Sequence, residues 1–197
     1  VEAITNGQNV TDPWQGTMNM GMPIFHYYQH LPHVVVALVH VLTFEALPIV
    51  DLVKWATYLL LSVFPLSIYW SLRRFGFGRL TAAMGGLVSP LIASLAAADL
   101  VNLYGGLDYA SYTTRGWGLF TQLWAMVLLP PALALGYQVL RDGRGYFCAT
   151  LLLAATFMSH LMFGYIAFIT LGGLTFIQLS RGDDPRLLAT VMWVQWR

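Results

Sequence analysis

Charged side chains are scarce in this sequence: lysine, arginine, aspartate and glutamate together make up 10% of its 197 residues. Soluble domains carry about 25%, so most of the surface cannot face water. The net charge is +1 and no basic tract is present, so nothing in the charge supports nucleic acid as a partner and we expect none. The single cysteine, Cys148, excludes a disulfide framework and a paired-cysteine metal site.

The chain also lacks an initiator methionine and a charged segment ahead of a first apolar stretch. An apolar run that begins near Leu187 stops abruptly at the last residues. Both ends therefore look cut, and we expect an internal fragment of a longer chain.

Long uncharged runs fill most of the sequence. They cover residues 55–72, 80–98, 116–140 and 145–180, the last interrupted only by His160. A bilayer-spanning helix needs roughly 20 mainly apolar residues, and the last run is long enough for two such helices joined by a tight turn. The runs predict an all-α, polytopic transmembrane helix bundle with about five full spans and part of a sixth.

Three arginine-bearing clusters, at residues 73–79, 141–144 and 181–186, separate the apolar runs. Spans at 55–72, 80–98, 118–140, 146–160, 163–179 and from 187 onward place all three clusters on one side. Short basic loops stay in the cytoplasm, so residues 1–54 and the loop at 99–117 are predicted to be extracytoplasmic.

The apolar run at residues 31–44 is too short for a span and holds His33 and His40. Runs of 10–14 residues are typical of interfacial or re-entrant helices. Counting this run as a span would also move the basic clusters outside. We therefore predict two regions, an extracytoplasmic loop with an interfacial helix at 1–54 and transmembrane helices at 55–197.

The segment before this helix is rich in turn-forming residues, aromatics and histidine. Its side chains suit the boundary between acyl chains and water, so they either line a site for an amphiphilic substrate or anchor the loop at the headgroup level. His26, His30 and His33 have helical spacing, but Pro32 argues against one continuous helix through them and no HExxH pattern supports a zinc site.

The second extracytoplasmic loop carries Asp108, Tyr112 and Arg115. Ionisable groups close to the membrane mark functional sites. A carboxylate serves as general base or as a ligand for a divalent cation, and an arginine can clamp a phosphate. The alternative is an ion pair between Asp108 and Arg115 that only shapes the loop. His160, at the turn between the last two predicted spans, could face the same cavity.

The stretch from Trp14 through Gly21-Met-Pro-Ile-Phe-His-Tyr-Tyr-Gln-His-Leu-Pro32, followed by an apolar helix, resembles the first extracytoplasmic loop of GT-C-type membrane glycosyltransferases. It is most similar to the 6-pyruvoyl-tetrahydropterin-synthase-related membrane proteins. The order of the later elements is similar to that of the oligosaccharyltransferase catalytic subunit. The resemblance covers nearly all of residues 14–180.

This resemblance implies a transferase that uses a polyprenyl-phosphate-linked sugar at the outer face of a prokaryotic plasma membrane. Its catalytic carboxylates would be Asp108 and, as a weak substitute for a position upstream of the chain, Asp12. The Asp-x-Glu of oligosaccharyltransferases is missing near Asp108, so whether a divalent cation takes part stays open. The residues implied to bind substrate are Arg115, His26, Tyr28, Gln29, His30 and Tyr112.

Two other functions remain open on the sequence. One is a non-enzymatic membrane protein, either a transporter or a glycolipid flippase, and the other is a scaffold of the cell envelope. Transporters place charges and broken helices at the bilayer midplane, whereas here these features fall in predicted outside loops. A first span followed directly by a carboxylate, upstream of Val1, would favour the enzyme.

Overall fold

The computed structural model describes residue 7, residues 14–15 and 22–23, and residues 29–96 and 120–181. Over these residues the predicted all-α architecture is confirmed. A two-residue antiparallel pair, β1 (Trp14–Gln15) with β2 (Met22–Pro23), accompanies the helices near the N-terminus. The predicted loop at 99–117 and the predicted helix from 187 lie outside the described residues.

Six helices make up the described part of the chain. They are α1 (Leu31–Leu42), α2 (Ile49–Arg74), α3 (Arg79–Ala96), α4 (Phe120–Asp142), α5 (Tyr146–Ser159) and α6 (Leu161–Arg181). All the helices expected within this part are present. Helix α2 begins at Ile49, six residues before the predicted start, because Pro48 opens the helix and the charges of Asp51 and Lys54 pair at 3.6 Å on its exposed face.

Among the described helices, three are long and apolar enough to cross a membrane: α2, α4 and residues 161–178 of α6. Their outward surfaces carry large apolar side chains, with Leu59, Leu66 and Ile169 each more than 60% exposed. Apolar patches of this extent mark a surface that contacts lipid or another protein. The fold is that of a membrane protein.

Helix α5 occupies the position of a predicted span but has only 14 residues. At 1.5 Å per residue it is about 21 Å long, which is shorter than the hydrocarbon core of about 30 Å. His160 ends it in an extended conformation, with φ −158° and ψ 116°, and α6 starts at the next residue. Gly164 permits the tight return, since a Cβ there would lie 3.0 Å from the Cα of Phe157.

The helices contact one another through small side chains. Ala82, Ala125, Ala132, Ala134 and Ala167 are fully buried. Small residues allow helix backbones to approach closely, which is how helices associate where no hydrophobic effect drives them together. Helix α4 lies at the centre and packs against α2, α5, α6 and α1.

Two serine hydroxyls satisfy backbone carbonyls that prolines leave free. A helical proline at position i offers no N–H to the carbonyl at i−4. Pro131 therefore frees the carbonyl of Val127, which accepts a 2.6 Å hydrogen bond from Ser67 of α2. Pro90 frees the carbonyl of Gly86, which accepts one of 3.2 Å from Ser89.

The arginine-bearing ends of the helices come together. Arg74, at the end of α2, donates a 3.2 Å hydrogen bond to Gln138 near the end of α4, and the rings of Phe75 and Tyr137 are 5.4 Å apart. Helix α6 runs in the same direction as α4, because the chain reverses at the short turn 143–145 before α5 and again at His160 after it, where Gly164 approaches Phe157. The turns at 75–78 and 143–145 and the end of α6 therefore share one end of the bundle.

Candidate functional site

The structure describes two of the eight predicted site residues, Gln29 and His30. Both are partly exposed and directly precede helix α1. The remaining predicted positions lie outside the described residues: Asp12, His26, Tyr28, Asp108, Tyr112 and Arg115. Of the predicted site, the structure therefore describes only the part next to the start of α1.

Helix α1 is short because its sequence limits both ends. Pro32 stands in the first turn and is buried, and proline suits this position because the first N–H groups of a helix have no partner within it. At the other end, Phe44 and Glu45 adopt positive φ angles of 52° and 61°. His40 Nδ1 lies 2.6 Å from the carbonyl oxygen of Leu47, and this hydrogen bond stabilises the turn between α1 and α2.

The start of α1 lies against the start of α4. The rings of His33 and Phe120 are 5.9 Å apart and tilted, and Phe120 is in turn 6.1 Å from Trp124 in an edge-on arrangement. Burial lowers the pKa of His33 below its ordinary value because the charged imidazolium loses its hydration. Burial of His33 therefore favours the neutral form of its imidazole over the charged form.

The three histidines with helical spacing, at positions 26, 30 and 33, are only partly described by the structure. His30 precedes α1, His33 lies in its first turn, and His26 is outside the described residues. Among the positions that the structure describes, no group of three or more His, Cys, Asp or Glu side chains is arranged to hold a metal ion. The prediction of a bound divalent cation therefore concerns only residues outside the described ranges.

An apolar groove of about 370 Å³ lies between α1, α2 and the start of α4. Its walls are almost entirely hydrocarbon, and they are formed by Val35, Val36, Val39, Leu52, Trp55, Ala56, Leu59, Leu60 and Trp124. The indole Nε1 of Trp124 is buried and has no hydrogen-bond partner. Sequence reasoning missed the groove because its walls come from three helices and no local pattern links them.

The end of α5 carries two further buried polar atoms without hydrogen-bond partners, Ser159 Oγ and His160 Nδ1. The ring of His160 packs edge-on against Phe163 at 5.3 Å. His160 was predicted at this turn, whereas Ser159 was not singled out, because a serine in an apolar run ordinarily bonds its own helix backbone.

The start of α1, the apolar groove and the end of α5 all lie at the end of the bundle that is remote from the arginines. Helix α4 starts there with Phe120 and ends beside Arg74, while α5 runs the opposite way and ends at Ser159. Helix α1 contacts α2, α4 and α5. The arrangement brings imidazole groups, which can bind or transfer protons, next to an apolar groove. Comparisons of this chain with known protein families, curated proteins and solved structures return no match.

Proposed function

We propose that this chain is the outer loop and central helices of a GT-C-like membrane glycosyltransferase, which transfers a sugar from a polyprenyl-phosphate-linked donor at the extracytoplasmic face. One observation carries the proposal: Gln29, His30 and His33 lie at the start of a helix too short to span, packed on the bundle away from its arginine-bearing end. The hydrogen-bonding side chains therefore lie at one end of the bundle and the arginines, which are typical of cytoplasmic loops, at the other. This arrangement suits an enzyme that binds its substrate on the extracytoplasmic side.

The proposed topology is multi-pass, in the plasma membrane of a prokaryote. The arginine-bearing end would face the cytoplasm, in keeping with the preference of lysine and arginine for short cytoplasmic loops. The start of α1 would then face the outer compartment, where lipid-linked sugars present their head groups.

In the proposed reaction the acceptor attacks the anomeric carbon of the sugar, and the bond from that carbon to the phosphate oxygen breaks. Polyprenyl phosphate leaves with the bonding electrons. Asp108, or Asp12, takes the proton of the acceptor as general base. Arg115 neutralises the leaving phosphate through paired hydrogen bonds.

The proposed binding residues surround the sugar and its phosphate. Tyr112 offers hydrogen bonds to sugar hydroxyls, and His26, Tyr28, Gln29 and His30 line the entrance by which the acceptor or the donor reaches the site. Neutral imidazole and phenol groups both donate and accept hydrogen bonds, as recognition of sugar hydroxyls requires.

The test is sugar transfer by the full-length protein in membranes, with a polyprenyl-phosphate-linked sugar as donor. Asp108→Asn and Arg115→Ala should each lower turnover at least about a hundredfold, the usual contribution of a general base or a charged clamp. Asp142→Asn and Arg144→Ala make the same changes at the arginine-bearing end and should leave turnover unchanged. Wild-type turnover by the first pair would remove the loop from the mechanism.

A second candidate is a non-enzymatic transporter or glycolipid flippase. It is favoured by the contact between two short helices, α1 of 12 residues and α5 of 14, together with the unpaired polar atoms of Ser159 and His160. Transporters build their sites from such interrupted helices. Movement of a fluorescent lipid-linked sugar across proteoliposomes, without transfer of the sugar, would establish this alternative.

A further inference from the structure

The α2–α3 turn, residues 73–79, carries most of the positive charge at the arginine-bearing end. It contains three arginines and no acidic residue, a sum of +3. The α4–α5 turn, residues 141–144, contains two arginines and one aspartate, a sum of +1, and Arg141 binds Asp142 through hydrogen bonds of 2.7 and 2.8 Å. Residues 181–186 contain two arginines and two aspartates and sum to zero. The charge that no carboxylate balances is therefore concentrated in the α2–α3 turn.

Two arginines of this turn are held in place by neutral groups. Arg73 donates a 2.6 Å hydrogen bond to the carbonyl oxygen of Phe77, which places its guanidinium at the turn itself. Arg74 donates to the side-chain amide oxygen of Gln138 and lies 4.8 Å from the centre of the Trp70 ring. These contacts fix the positions of both guanidinium groups and leave their charge in place. Each group also keeps further N–H donors, because a guanidinium has five.

Arg79 has an exposed side chain with no hydrogen bond or ion pair to any other described residue. It is the first residue of α3, and the first turn of that helix contains no acidic residue. The N-terminal end of a helix carries a partial positive charge, so a cation there is unfavourable. An anion bound beside Arg79 would reverse this effect by attracting both the guanidinium and the helix end.

Apolar side chains are exposed on the same turn. Phe77 is 48% exposed and Leu80, directly after Arg79, is 78% exposed. The backbone of the turn is open as well, since a Cβ at Gly76 would have nothing within 4 Å. A small anion or an acidic protein segment would satisfy the arginines alone. A phospholipid brings a phosphate for the arginines and hydrocarbon for the apolar side chains together.

We propose that the α2–α3 turn binds one anionic phospholipid from the leaflet that it faces. The phosphate lies between Arg73 and Arg79, and the acyl chains run along the membrane surface of the bundle past Phe77 and Leu80. Basic clusters beside transmembrane helices bind anionic head groups in this way. A zwitterionic lipid fits less well, because its own ammonium group offsets the phosphate. The site is independent of the transferase function proposed above.

The test measures lipid binding to the full chain by native mass spectrometry. Protein freed of lipid in detergent is titrated with phosphatidylglycerol and, in a separate series, with phosphatidylcholine of the same acyl chains. An arginine near an anionic lipid contributes about fivefold to binding. The first phosphatidylglycerol should therefore bind at least about fivefold more tightly than phosphatidylcholine. Equal binding of the two lipids would overturn the proposal.

Variants locate the site on one turn. Arg79→Gln and Arg73→Gln should each weaken binding of the first phosphatidylglycerol about fivefold, and Arg79→Lys, which keeps the charge, should retain most of the affinity. Arg144→Gln removes the same charge from the α4–α5 turn, and Lys54→Gln removes one from the opposite end. Both controls should bind within about twofold of the wild type. An equal loss in Arg144→Gln and Arg79→Gln would show attraction by the whole end and overturn the site.

Two competitors distinguish a phospholipid from other anions. Glycerol phosphate should displace no more phosphatidylglycerol than sodium chloride of the same ionic strength does. Stronger displacement by glycerol phosphate would show that the turn binds free phosphate. Displacement by an equimolar polyglutamate peptide would indicate an acidic protein segment as the partner. Either result would overturn the assignment to a phospholipid.

Discussion

The hydroxyl of Ser67 on α2 donates a 2.6 Å hydrogen bond to the carbonyl of Val127 on α4. This carbonyl is the one that Pro131 leaves without its partner within the helix. The proline therefore creates an acceptor inside the bundle, and a serine from the neighbouring helix occupies it. The bond fixes the position of α2 against α4 and, with it, one wall of the apolar groove.

Replacing Ser67 by alanine should destabilise the fold by about 1–3 kcal/mol, because the buried carbonyl of Val127 would lose the hydroxyl that donates to it. The measurement is equilibrium unfolding of the purified protein in mixed micelles. Pro131→Ala restores an N–H to α4, so Ser67→Ala should cost much less in that background. Equal costs in both backgrounds would show that the bond does not compensate for the proline.

Ser62→Ala is the matched control for Ser67→Ala. The hydroxyl of Ser62 is exposed and bonds the carbonyl of Tyr58 within its own helix. Removing this hydroxyl leaves the backbone hydrogen bonds of α2 in place, so the free energy of unfolding should change by less than about 0.5 kcal/mol.

Gly86→Ala should destabilise the pairing of α2 with α3. A Cβ at this position would lie 2.7 Å from the backbone carbonyl oxygen of Pro65, which cannot rotate away. Forced separation of packed elements typically costs about 1–3 kcal/mol. Gly172→Ala adds the same methyl group where nothing lies within 4 Å, and we expect it to be neutral or slightly stabilising. Equal stability of the two variants would contradict the close approach.

The docking of α1 should weaken in mild acid because of His33. Burial lowers the pKa of His33 from the ordinary histidine value of 6.5, so the unfolded state takes up the proton at a higher pH than the folded state. The contribution of His33 to stability is therefore complete above about pH 6.5. It falls as the pH decreases toward the folded-state pKa and is constant below it.

The pH dependence is measured as the difference in unfolding free energy between the wild type and His33→Gln, from pH 8 to pH 5. Using the difference cancels contributions from the other histidines. A difference that stays constant over this range would mean that the imidazole of His33 is not desolvated in the folded protein.

Much of the helical architecture could be predicted from run length and the positions of charges. The uncharged runs predicted α2 to α6, and the shortness of the run at 31–44 predicted that α1 does not span. The start of α2 was placed too late because Asp51 and Lys54 were taken as loop residues. Three residues apart on a helix, they pair on its exposed face, and the helix includes them.

The contacts between helices could not be predicted in the same way. Pro131 indicates that the carbonyl of Val127 is free, but its donor, Ser67, lies 60 residues earlier. The unpaired indole of Trp124 depends on how three helices pack around it. Histidine and aromatic content ahead of α1 predicted either a substrate site or an anchor at the headgroup level, and both predictions stay open.

The central claim is that the arginine-bearing end and the start of α1 face opposite sides of the membrane. It is tested with single cysteines at Arg74, His30 and Phe44 in a background in which Cys148, which is exposed, is replaced by serine. A membrane-impermeant maleimide applied to intact cells should label positions 30 and 44, and should label position 74 only after permeabilisation. Labelling of positions 74 and 44 from the same side would contradict the account.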